Sequence, residues 1–249
     1  MKNIRLHIEY DGSDFHGWQR QPDKPTVQQH IEDTLMEILG KRTFVYGASR
    51  TDSGVHARGQ IANFYTDRAN IEPERWGKVL NYYLPKTIRV LDSREMPSQF
   101  HAQKDARSKI YEYRLLNRMY ESALDRRVLF YPRELDWGKI RQSLPLFVGE
   151  KDFRGFQAAG ASVKTTVRRI HRFELIEEAH AAGLYCFRIQ GNGFLKQMVR
   201  TIVGTVLEVG EGKRTLEEIE AVFASRDRGL AGRTAPAHGL CLVSVNYDA

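Results

Sequence analysis

One carboxylate, Asp52, stands in the middle of Gly47-Ala48-Ser49-Arg50-Thr51-Asp52-Ser53-Gly54-Val55-His56-Ala57, where turn-forming, polar and ionisable residues crowd together. Alone, Asp-Ser-Gly reads as a turn, because Asp accepts from its own backbone and Gly supplies positive φ. Held at a strand end, the same carboxylate could serve as a nucleophile or a base. A hydrolytic glycosidase would need two opposed carboxylates, and no second one stands out. Three other groups have types and spacing suited to a site. Tyr111 and Tyr113 share one strand face, with Ile110, Glu112 and Arg114 on the other. Arg200 lies off the Phe194, Met198, Ile202 row of a helical segment, and Lys164, Arg168, Arg169 and Arg172 form a basic run with Arg154 nearby. The bland alternatives are a core aromatic pair, a solvated arginine and a solvated strand face. Arg168 and Arg172 are expected to share a face and to track phosphates. His56 and His101 read as loop supports.

The elements that must position these groups follow from periodicity. Ile4, Leu6, Ile8 and Tyr10 alternate with polar residues, the pattern of a half-buried strand. Thr26 and Gln29 suggest a capping box for a helix whose face carries Val27, Ile31, Leu35, Ile38 and Leu39, ending at Gly40. Strands at Phe44-Val45-Tyr46 and Ile61–Tyr65 flank the Asp52 loop. Pro73 opens a helix with Trp76, Val79, Leu80 and Tyr83 on one face, and Ile88–Leu91 is a strand. That order is βαββαβ. It recurs as a strand over 110–116, a helix over 136–147 that Pro145 should distort, strands over 167–176 and 184–189, a helix over 194–209 and a final strand over 239–245. Thr215 and Glu218 cap a short extra helix. The expected fold class is α+β: two tandem ferredoxin-like units, residues 1–104 and 105–249, with antiparallel sheets flanking a central RNA-binding cleft.

The composition fits this picture. With 41% hydrophobic and 28% charged residues among 249, the chain is an ordinary globular one, and no apolar run is long enough to span a bilayer. A net charge of +7 and a pI near 9.4 suggest a polyanionic partner. Cys186 and Cys241 lie far apart in apolar runs, implying buried thiols and no disulfide. The histidines show no metal-ligand spacing, so no metal is expected. The N-terminus lacks a signal-peptide core, which points to the cytoplasm.

The run Arg50-Thr51-Asp52-Ser53-Gly54-Val55-His56-Ala57 resembles the active-site segment of the tRNA pseudouridine synthase A family, whose Asp is catalytic. Ser108-Lys109-Ile110-Tyr111-Glu112-Tyr113-Arg114 is similar to the family's second motif, and Phe194-Leu195-Lys196-Gln197-Met198-Val199-Arg200-Thr201-Ile202-Val203-Gly204 to a third. Shorter matches spread over the chain, among them Gly17-Trp18-Gln19 and Phe100-His101-Ala102. Gln103 departs from the Arg often found after the latter. The resemblance implies isomerisation of uridine to pseudouridine in tRNA, without cofactor or metal. Asp52 would be the essential group, Arg200 its ion-pair partner, and Tyr111 a third catalytic residue that stacks on the uracil and helps to remove its C5 proton. It further implies a homodimer acting on the anticodon stem-loop at tRNA positions 38, 39 and 40. Arg50, Gln19, Arg168 and Arg172 are the expected RNA contacts beside Tyr111, although the Trp18 loop either touches RNA or braces the catalytic loop. The rival reading is a non-catalytic RNA-binding or tRNA-chaperone protein with RNA-recognition-motif-like sheets. Against it, Arg58-Gly59 is followed by Gln60, Ala62 and Asn63 where that motif stacks aromatics.

Overall fold

A computed structural model describes residues 1–160, 163–179 and 181–247. The chain forms two compact α+β units, one made of Met1–Arg107 and the chain from Cys241 onward, the other of Ser108–Leu240. In the first unit, β1 (Lys2–Tyr10) pairs antiparallel with β3 (His56–Thr66) on one side and β4 (Ile88–Met96) on the other. Ile4, Leu6 and Ile8 are fully buried, as their alternation requires. A two-residue β2 (Tyr46–Gly47) pairs with the Asn63 end of β3, and β10 (Leu240–Asn246) runs parallel to β3 at His56 and Ala57. The order β4-β1-β3, with β2 beyond, is that of a ferredoxin-like unit. The sequence reading instead counted the last strand in the second half.

Three local expectations change here for identifiable reasons. The strand over Phe44-Val45-Tyr46 shrinks because the backbone of Val45 is claimed by side chains of α1 (Val27–Leu39): its N–H donates to Glu32 Oε1 at 3.1 Å and its carbonyl accepts from Gln28 Nε2 at 3.0 Å. Only half of the first capping box forms. Thr26 accepts the Gln29 N–H, while the Gln29 side-chain oxygen has no hydrogen-bond partner. The helix at Pro73 begins as a 3-10 turn, Pro73–Arg75, and continues as α2 (Trp76–Tyr83). Trp76 and Leu80 are buried, but Tyr83 in the last turn stays 46% exposed against Tyr82.

In the second unit, β5 (Ser108–Leu116), β9 (Leu184–Gly191), β8 (Val167–Glu177) and β7 (Gly149–Asp152) form an antiparallel run in that spatial order, with β6 (Leu129–Phe130) parallel to β5. Phe147, Phe153, Phe156 and Phe187 are fully buried, and Phe223 of α5 (Leu216–Ser225) closes over the first three. The helix α3 (Trp137–Ser143) gives way to a 3-10 turn at Leu144–Phe147, where Pro145 lacks a donor. The helix α4 spans Met198–Gly210 and starts four residues later than its periodicity suggested. Gln197 adopts a left-handed φ of 59°, and the Lys196 carbonyl is taken by the Ala158 N–H. The Thr215–Glu218 capping box of α5 forms in both directions. Cys186 is a buried thiol, whereas Cys241 is only partly buried. No helix of the described residues is long and apolar enough to cross a membrane.

Beyond the end of α4, Glu211 gathers three cations. Its Oε1 accepts from the Tyr131 hydroxyl and from Arg133, each at 2.7 Å, and its Oε2 lies 2.9 Å from Lys213. Arg233 reaches the Tyr131 hydroxyl. Burial pushes the Glu211 carboxyl up, but the hydrogen bonds from Tyr131, Arg133 and Lys213 outweigh it and hold the group at about 2. A depressed carboxyl stabilises the fold above its unfolded value near 4.5 and loses that contribution as pH falls toward 2. Acid unfolding should therefore show a loss over that window of at most about 3 kcal/mol, from 1.36 kcal/mol per pH unit. Glu211→Gln should flatten it, as urea melts at stepped pH would read.

Candidate active site

The Asp52 loop is held from several sides within the first unit. At its base, Ala48 N–H donates to Ile61, and the fully buried Gln60 side chain bridges the backbone of Ser49, receiving its N–H at 3.2 Å and donating to its carbonyl at 2.6 Å. At the tip, the Val55 N–H closes a turn on the Asp52 carbonyl, Trp18 N–H donates to Thr51 O at 3.1 Å, and the Tyr10 hydroxyl lies 2.7 Å from Thr51 Oγ1. Gly54 N–H donates to Phe15 O. The turn reading of Asp-Ser-Gly is thus correct, and it also fixes the backbone on either side of the Asp52 carboxylate. Asp52 is partly buried and Arg50 is exposed.

Close backbone approach makes this clamp possible. A Cβ on Gly12 would lie 2.0 Å from Val55 O, and one on Gly17, whose φ is +89°, would lie 2.5 Å from Thr51 O. Trp18 is 1% exposed and occupies the space that a side chain at Gly47 would need. The exposed Gln19 donates to Gln28 Oε1, which also accepts the Arg20 N–H. Arg20 reaches Glu32 at 3.3 Å and Asp33 at 2.9 Å. Glu32, 5% exposed, thereby ties the Trp18 loop and Val45 to α1. In this structure the loop braces Asp52. Glu32 and Gln28 were not singled out from sequence, since a polar residue on a helical face carries no signal of such a role.

The histidines also support loops. His56 Nδ1 accepts the Gly12 N–H at 3.0 Å, with the Asp11 carboxylate equally near, and His101 Nδ1 accepts the Gln103 N–H at 3.1 Å. Gln60 and Asn63, which stand where an RNA recognition motif would stack bases, are fully buried. Asn63 donates to Asn3 and accepts the Ala102 N–H.

The second unit carries Tyr111, Arg200, Arg168 and Arg172. Tyr111, 5% exposed, packs edge-on against Phe194 with ring centroids 5.2 Å apart. Tyr113 is the core aromatic: it is fully buried, its hydroxyl donates to Pro236 O, and burial pushes it up against the opposing influence of Arg200 and Arg233. Arg200 is partly buried, and Nε donates to Ala235 O at 2.7 Å while Ala235 N–H returns to Arg200 O. The helix can approach that segment because residue 204 is glycine: a Cβ there would lie 1.8 Å from Arg233 O.

Arg168 and Arg172 do not share a face. The register of β8 against β9 shifts between Ile170 and Arg172, so Ile170 opposes Gly191 while Arg172 opposes Gln190. The extra residue reverses the alternation, leaving Arg168 on the face of Ile170 and Ile189 and Arg172 with Glu174, to which it pairs at 2.6 Å. Among the described residues, no group of three or more His, Cys, Asp or Glu side chains is placed to hold a metal ion.

Similarity to known proteins runs the length of the chain. The family model for tRNA pseudouridine synthase matches residues 7–103 and 144–248. A protein of Clostridium acetobutylicum named tRNA pseudouridine synthase A is 42% identical over 248 residues, covering 99% of this chain and 100% of the relative. Its namesake in Acetivibrio thermocellus is 44% identical with the same coverage, and that of a Geobacter species 42% identical over 249 residues, covering 99% of each chain. In structure, one chain of a solved Cbf5-Nop10-Gar1 complex is similar at 13% identity and a TM-score of 0.37, over 96% of this chain and 58% of that one.

Proposed function

Because the chain belongs to the tRNA pseudouridine synthase family, we propose that it isomerises uridine to pseudouridine in the anticodon stem-loop of tRNA, at positions 38, 39 and 40. The reaction breaks the bond between uracil N1 and the sugar C1′, turns the base while it remains bound, and joins C5 to C1′. C5 gives up its proton and N1 gains one, so no redox partner is required. Asp52 is the essential carboxylate. The observation that carries this reading is its placement in the Arg50–Ala57 segment, inside the family match and clamped at Thr51, Val55 and Gly54. A group whose backbone is fixed on both sides can be aimed at a reacting atom with little loss of order on binding.

Arg200 serves as the counter-ion of Asp52, and Tyr111 supports the uracil. A base inside a stem must first leave its stack, and an aromatic platform with a cationic rim offsets that cost. Arg50, exposed in the Asp52 loop, and Gln19, exposed on the segment that braces it, supply RNA contacts in the first unit, and Arg168 supplies one in the second. Arg172, tied to Glu174 on the other face of β8, is not assigned a place beside Tyr111. The net charge of +7 supports a tRNA partner.

The test is tritium release from tRNA carrying 5-tritiated uridine, which reports loss of hydrogen from C5. Release by the wild-type protein supports isomerisation. Binding of several tRNAs without release returns the chain to the RNA-binding alternative. We further propose that the protein works as a homodimer. Light scattering should then give a mass near twice 28.7 kDa, and a monomer at working concentration refutes it.

A further inference from the structure

The sheet face that carries Tyr111 also carries Lys109, two residues earlier on β5. Lys109 pairs with Gly191 of β9, and Gly191 in turn pairs with Ile170 of β8, so the three positions form one row across the strands. Arg168 stands next along β8 on that same face, because the register shift comes only after Ile170. The middle of the row has no side chain. A Cβ on Gly191 would meet the Phe194 ring at 3.1 Å, the same ring that packs on Tyr111, and one on Gly193 would lie 3.6 Å from Arg168 Nε.

Two cations are thus brought together on a glycine floor beside the aromatic pair. The Arg168 guanidinium is fixed by the carbonyls of Thr165 and Val167, at 2.9 and 2.6 Å. Burial lowers the Lys109 ammonium to about 8, with the Arg168 charge adding to the effect, and burial lowers Arg168 as well. The Arg168 charge disfavours the charged form of Lys109, whereas an anion shared by the two interacts favourably with both. A cation shifted by desolvation together with a specific charged neighbour, beside a candidate substrate contact, is a candidate binding group.

We propose that Lys109 and Arg168 together bind one backbone phosphate of the RNA, next to the nucleotide whose base rests against Tyr111. This rests on the tRNA reading above and adds to it a residue, Lys109, that neither charge runs nor motif matching had picked out as an RNA contact. A phosphate held there would fix the sugar of the target nucleotide while its base turns.

The experiment measures affinity for a synthetic anticodon stem-loop RNA across a series of salt concentrations, together with tritium release. Lys109→Met, which keeps the apolar stem, should weaken binding about tenfold at 0.15 M salt and reduce the slope of log affinity against log salt by about 0.7–0.9, the value for one phosphate contact. Lys109→Arg should restore both. Arg168→Gln, at a less buried position, should repeat the slope loss and stands in if Lys109→Met does not fold. A wild-type slope in both neutral variants overturns the proposal, whatever their affinity. If the wild-type protein releases no tritium, the isomerase reading fails, whereas the slopes still decide whether a phosphate sits between these two cations.

Discussion

Asp52→Asn should bind tRNA about as tightly as the wild-type protein and release tritium from 5-tritiated uridine at least about a thousandfold more slowly, a loss of about 4 kcal/mol in transition-state stabilisation. The amide is nearly isosteric with the carboxylate. Trp18 N–H on Thr51 O, the Tyr10 hydroxyl beside Thr51 and the Gln60 side chain on Ser49 hold the loop through groups that the substitution leaves unchanged. What disappears is the negative charge and a nucleophilic or basic oxygen. Whether Asp52 attacks the sugar C1′, removes a sugar proton or adds to the base, each route needs that oxygen, so the same outcome is expected for all three. The comparison is informative only at matched occupancy, hence the parallel binding measurement. Release within tenfold of wild type, at equal tRNA affinity, would remove Asp52 from the chemistry.

The parts of this molecule that were legible in its sequence are those governed by local chemistry. Ile4, Leu6 and Ile8 announce a strand because alternation and burial are the same fact, and Thr215 with Glu218 announces a helix start because both partners of the cap lie within one turn. The Asp52 loop was legible for the opposite reason: eight consecutive residues resemble one family's segment, whereas Asp-Ser-Gly alone says only "turn". What could not be read depended on distant partners. Val45 leaves its strand because Glu32 and Gln28, on a helix, compete for its backbone. The start of α4 moves because Ala158 takes the Lys196 carbonyl. One extra residue in β8 reverses the alternation and sends Arg172 to the wrong face for the role expected of it, and no period-two count can reveal a bulge. Lys109 was overlooked because a lysine in a strand is ordinary until a glycine and an arginine on two other strands give it a site.

Gly17→Ala should lower turnover by about a hundredfold while tRNA affinity falls much less. Two costs coincide at this position. The φ of +89° is open to glycine and strained for alanine, by about 1–3 kcal/mol. The added methyl would also stand 2.5 Å from the Thr51 carbonyl and 3.1 Å from the Asp52 carbonyl carbon, a contact with backbone that no rotamer change relieves. Either the 16–18 segment or the Asp52 turn must give way. The 16–18 side is anchored, because Gly17 O and Trp18 O accept the Val27 and Gln28 N–H groups at the start of α1 and Trp18 is buried. The Asp52 turn is tied to the same segment through Trp18 N–H on Thr51 O and Gly54 N–H on Phe15 O, so a shift shared between the two displaces Asp52 as well. A displacement of about 1 Å at a reacting group costs about a hundredfold in rate, even when binding surfaces are untouched. Hydrogen exchange at the Gly54 and Val55 amides should rise with the lost turnover, since both depend on the turn that the methyl displaces. An alanine variant that keeps full turnover and full amide protection would show that residue 17 can yield without moving Asp52, and would locate the rigidity of the loop at Gln60 and Ser49 instead.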